Sequence, residues 1–125
     1  TKMNFVSYET AVRLKEAGFP QPKPMFFQLW YSPNGESEIR LPYYISPLFG
    51  GASMIYNSVF APTAPDILRE LGSSFSMFFR EEDKVFEPER ESVFIVTCDS
   101  LFVKPNIHEN PAEAAALAWF EDNGK

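Results

Sequence analysis

Cysteine occurs once in the chain, as Cys98, and histidine once, as His108. A single thiol excludes an intramolecular disulfide and suits a reducing compartment better than a secreted one. One Cys and one His are a poor set of soft ligands for a metal. There is no run of about 20 apolar residues of the kind a membrane-spanning helix needs. The opening TKMNFVSYE has neither the basic nor the apolar region of a signal peptide. Lysine and arginine never cluster, and binding to a phosphate backbone normally needs such a basic face. GGAS at 50–53 and GSS at 72–74 lack the lysine and the spacing of a phosphate-binding loop. These absences predict a cytoplasmic protein with no cofactor, no metal, no direct contact with nucleic acid and no membrane span.

What is present is apolar and aromatic. The chain has 125 residues, 45% hydrophobic and 16% aromatic, with thirteen Phe. That is too hydrophobic for a disordered chain. It is long enough to bury a core without covalent staples, so the expectation is one domain over residues 1–125. The net charge of −6 is unevenly spread. Residues 1–80 carry seven Lys/Arg and six Asp/Glu, whereas residues 81–122 carry three and eleven. A solvated acidic surface accounts for this; a basic partner is the other reading.

Eleven prolines cut the chain into short elements. In SYETAVRLKEAGF, Ser7 is placed to cap a helix. Tyr8, Ala11, Val12 and Leu14 supply its apolar side, and Gly18 stands where a helix ends in a left-handed residue. MFFQLWYS at 25–32 reads as a buried strand. Asn34-Gly35 suits a tight hairpin turn, and EIRLPYYIS is the return strand, with Pro42 marking its end or a sheet edge. Residues 45–61 are hard to assign, with a short strand expected around 54–56.

FAPTAPDILREL is the clearest helix start. Thr63 is the cap and Asp66 a short capping-box partner. Pro65 sits in the first turn, and Ala64, Ile67, Leu68 and Leu71 form one stripe. SFSMFFRE at 74–81 alternates, with Phe75, Met77 and Phe79 on one face. SVFIVTC at 92–98 is apolar on both faces and reads as a central strand. In ENPAEAAALAWFED, Asn110 caps, Pro111 opens and Glu113 completes a capping box. Ala112, Ala115, Ala116 and Trp119 repeat the stripe. The fold class is α+β: a mainly antiparallel sheet with about three helices packed on it, in the order α-β-β-(loop)-α-β-β-α.

No catalytic or metal-binding residue is assigned. A Cys98–His108 dyad is conceivable, but Cys98 ends a buried-looking strand, where thiols are packing groups, and His108 falls in a polar loop. Glu87, Glu89 and Glu91 lie two apart, so an extended chain presents them as one acidic face. Without a glycine turn and backbone carbonyls they do not make a calcium loop. Tyr43, Tyr44, Phe49, Met54, Tyr56 and Phe60 surround Gly50-Gly51 and form the candidate partner surface.

Three segments, YETAVRLKEAGFPQP, APTAPDILREL and ENPAEAAALAWFE, together about a third of the chain, resemble small uncharacterised proteins of phages and prophages, especially from gut bacteria. In that group similar helical segments flank an aromatic, variable middle. The resemblance implies a bacterial or mobile-element setting and an accessory or interaction role, and it carries no catalytic residue. The expected function is therefore a non-catalytic, phage-associated interaction protein, its partner another protein or a second copy in a homodimer. The alternatives are a small-molecule or peptide module with an aromatic pocket, and an enzyme using carboxylates from residues 81–91.

Overall fold

A computed structural model describes residues 4–21, 29–31, 38–40, 58–81, 92–100 and 104–125. Within them the chain is α+β. Helix α1 spans Tyr8–Glu16, α2 Ala64–Leu71 and α3 Pro111–Asp122. The strands are β1 Leu29–Tyr31, β2 Glu38–Arg40, β3 Ser58–Phe60, β4 Phe75–Arg80, β5 Val93–Cys98 and β6 Asn106–His108. The expected order is present, with β3 and β6 added to it. All pairing is antiparallel and falls into two three-stranded sheets, β2-β1-β3 and β4-β5-β6. The contacts divide the chain into two compact units, residues 7–62 and residues 1–6 with 63–125.

In the first unit, helix α1 starts and stops on local chemistry. Ser7 Oγ accepts the Thr10 N–H at 3.3 Å, which satisfies one of the amides that a helix leaves unpaired at its start. At the other end Phe19 N–H donates to Leu14 C=O at 2.8 Å and Gly18 N–H to Lys15 C=O at 3.1 Å. That pair of bonds needs a left-handed residue between them, and Gly18 has φ +95°. The turn drops Phe19 into the core, stacked on Phe60 with ring centroids 6.3 Å apart. β1 is the middle strand, with Trp30 opposite both Ile39 and Val59. Tyr8 of α1 meets Trp30 edge to face at 6.2 Å. The register sets Tyr31 opposite Glu38, while Asn34-Gly35 lies outside the described residues.

The second unit is framed by two capped helices. At α2, Asp66 Oδ2 accepts both the Thr63 N–H at 2.9 Å and the Thr63 hydroxyl at 2.8 Å. Thr63 and Asp66 thus act as one bonded pair. Removing either by Thr63→Ala or Asp66→Ala is expected to cost about 1 kcal/mol. The double variant should cost less than the two singles added, since both changes remove the hydroxyl–carboxylate bond, while the bond from the Thr63 N–H is lost only with Asp66. Urea unfolding of the three variants checks this, and additive losses count against it.

At α3, Asn110 Oδ1 accepts from Ala112 N–H at 2.8 Å and from Glu113 N–H at 3.4 Å. The reciprocal half of the cap differs from the capping box that the sequence suggests. Asn110 N–H donates to His108 Nδ1 at 2.9 Å, not to Glu113. His108 ends strand β6 rather than lying in a loop, and two residues of separation bring its ring onto that amide. Asn110 also donates through Nδ2 to Phe5 C=O at 3.0 Å, and Phe5 forms an antiparallel bridge with Thr63.

Helix α3 is buried on more than one side. Ala112, Ala114, Ala115, Ala116 and Ala118 are all buried, with Trp119 and Phe120, while Leu117 faces out. The reason is two neighbours: α3 packs against α2 and against β5 and β6. Alanine permits the close approach that both contacts require. Strand β5 is central, as its doubly apolar sequence predicts, and Val93, Ile95 and Val96 are buried.

Candidate interaction surface

Of the six residues proposed for a partner surface, Tyr43, Tyr44, Phe49, Met54 and Tyr56 lie outside the described residues. Phe60 is described and buried, with 6% of its surface exposed. It packs on Phe19, and its N–H donates to Gln21 Oε1 at 3.3 Å. Gln21 in turn donates to Phe19 C=O at 3.0 Å. Glu87, Glu89 and Glu91 also lie outside the described residues.

The Cys98–His108 pair is not brought together. His108 stands opposite Phe94 in the β5–β6 register, and Cys98 is four residues further along β5. At the rise of a strand that is a separation of roughly 13 Å along the sheet. His108 has its structural duty at the α3 cap instead. Among the described residues no group of three or more His, Cys, Asp or Glu side chains converges as a metal site would require. No described helix is long and apolar enough to cross a membrane.

Exposed apolar side chains concentrate on the β4-β5-β6 sheet. Phe78 is 51% exposed, Ile107 47% and Phe79 46%. The register explains their arrangement. Phe78, Ile95 and Ile107 stand in one row straight across the three strands, and Ile95 in the middle is buried. Asn106 Nδ2 donates to Glu121 Oε2 of α3 at 2.9 Å. Successive side chains of a strand alternate between faces. Asn106 and Val96 therefore face α3, and the Phe78–Ile95–Ile107 row lies on the opposite face. Phe79 is on the α3 side, in contact with Phe94 at a centroid distance of 5.0 Å.

Sequence reasoning predicts the alternation of β4 but passes over Phe78 and Ile107. The available signal was the pair Phe78-Phe79, which puts a large ring on both faces of one strand.

Arg80 ends the strand with its Nε buried and without a hydrogen-bond partner. A buried guanidinium donor left unpaired is uncommon and costs stability.

No protein-family model matches the chain, and no curated protein or solved structure matches it significantly.

Proposed function

We propose that this chain is a non-catalytic interaction protein that works through contacts with another protein. The observation that carries this reading is the exposure of Phe78 and Ile107 on one face of the β4-β5-β6 sheet, with Phe79 exposed on the other face of the same strand. Large apolar side chains gathered on a surface mark contact sites, whereas single scattered ones do not. The resemblance of the three helical segments to phage and prophage proteins supports an accessory role in a bacterial or mobile-element setting. The lone thiol of Cys98, which has no disulfide, supports a cytoplasmic one.

Capture from a lysate of the encoding bacterium, with mass-spectrometric identification, tests the proposal. The tagged chain is expected to retain a defined protein that a Phe78→Asp, Phe79→Asp bait does not. Retention should persist at high salt, because an apolar contact is not screened. Equal recovery by both baits, or loss at high salt alone, counts against the apolar surface and points to the acidic half.

A further inference from the structure

We propose that β4 is a docking edge for a second copy of this chain, its strand pairing antiparallel with the partner's β4 so that the two sheets join into one. The inference rests on the interaction reading above and names its partner.

The backbone of β4 carries the argument. Asp99 N–H donates to Ser74 C=O at 2.9 Å, and the register sets Phe75 opposite Cys98, so Ser74 and Asp99 form a hydrogen-bonded pair. Such pairs alternate along an antiparallel ladder. Ser76, Phe78 and Arg80 therefore turn their backbone groups toward β5, while Phe75, Met77 and Phe79 turn theirs away from it. Phe75 N–H closes a turn on Gly72 C=O at 3.3 Å. The N–H groups of Met77 and Phe79 and the carbonyls of Phe75, Met77 and Phe79 have no partner among the described residues. A row of open donors and acceptors at strand spacing specifies an extended chain as its occupant.

Natural edges are normally blunted by lysine, proline, a bulge or shortness. The other edge of this sheet, β6, has three residues, whereas β4 has six. From Phe75 to Phe79 there is neither charge nor proline. On β3, by contrast, Gln21 occupies the Phe60 N–H.

Symmetry selects the second copy, and the absence of charge along the seam permits it. Two chains of net charge −6 repel, and β4 offers a seam free of carboxylates from Phe75 to Phe79. Pairing with itself is isologous, so one surface supplies both halves. Outward groups must meet outward groups, which restricts the register to odd positions facing odd. The register with Met77 opposite the partner's Phe79 puts Phe78 against the partner's Phe78 at the two-fold axis. That is a non-hydrogen-bonded position, where side chains are closest. It also sets the partner's Ser76 opposite Arg80, so no acidic residue faces the guanidinium across the seam. The two Arg80 residues lie four positions apart along the seam, roughly 13 Å, so no like charges are opposed.

Sedimentation velocity of the purified chain over a wide concentration range tests this. The expected result is a reversible dimer. Met77→Pro removes an outward N–H and takes no bond from β5, so it should give a folded monomer, with the far-UV circular dichroism retained. Phe78→Lys, at a half-exposed position, opposes two like charges at the axis and should weaken the dimer by about tenfold or more. In a Cys98→Ser background, Phe78→Cys should cross-link to a dimer under mild oxidation. A wild-type monomer throughout, a dimer unchanged in Phe78→Lys, or no cross-link at position 78 overturns the proposal. A monomer that still loses a captured heterologous protein on Phe78→Asp, Phe79→Asp substitution overturns self-pairing and leaves the interaction reading standing.

Discussion

Replacing Trp119 by Ala is expected to destabilise the protein by about 3–5 kcal/mol. Trp119 is 6% exposed and meets Phe120 edge to face at 5.7 Å. Its helix neighbours on the stripe are Ala112, Ala115 and Ala116. Those side chains are single methyl groups, so none can swing in to fill the space that an indole leaves. The cost of a large-to-small change rises with the volume that stays empty. A helix held from two directions has little freedom to close over such a space. Urea unfolding of wild type and variant measures the difference, and unchanged slopes confirm that both unfold from comparable states. A loss below about 1 kcal/mol, less than a single buried leucine-sized truncation costs, means that α3 is not docked through Trp119.

Ile67→Ala in α2 should cost about 2–5 kcal/mol, and Leu68→Ala clearly less. Ile67 is 0% exposed, while its neighbour Leu68 is half-buried. Helical spacing places both on the same stripe with Ala64 and Leu71 and does not rank them. The ranking comes from α3, which packs against α2 and decides which side of the stripe is covered. Parallel unfolding experiments on the two variants read it directly. Equal losses indicate that α2 is rotated relative to the packing described.

The same distinction separates what was legible in the sequence from what was not. Caps are local. Ser7, Thr63 with Asp66, Asn110 and Gly18 announce their helices because donor and acceptor lie within a few residues of each other. Strands β4 and β5 are legible because their apolar patterns are long enough to show a period. β3 and β6, with three residues each, show none, and they exist as strands only through partners far away in the chain. The half of the α3 cap that passes through His108 was missed for a related reason. The expected box looked forward to Glu113, whereas the acceptor lies two residues behind.

The interaction surface shows the limit most clearly. Phe78 and Phe79 are plain in the sequence. That β4 lies at an edge among the described strands is a property of strand order, and strand order is not written in any one segment. The aromatic stretch around Gly50-Gly51 attracted the functional reading because it fits no regular pattern. The exposure found among the described residues lies on strands β4 and β6, and the alternation of β4 does not single out Phe78.

The bridge between Phe5 and Thr63 has a further meaning. The chain leaves one unit after Val6 and returns to it at Thr63. Exit and return points are therefore hydrogen-bonded neighbours, and Asn110 ties Phe5 to the start of α3 as well. In engineering terms residues 7–62 are an insert between two chain ends that lie side by side in the other unit. A loop graft or a shortened insert meets two anchor points that this other unit already holds in register.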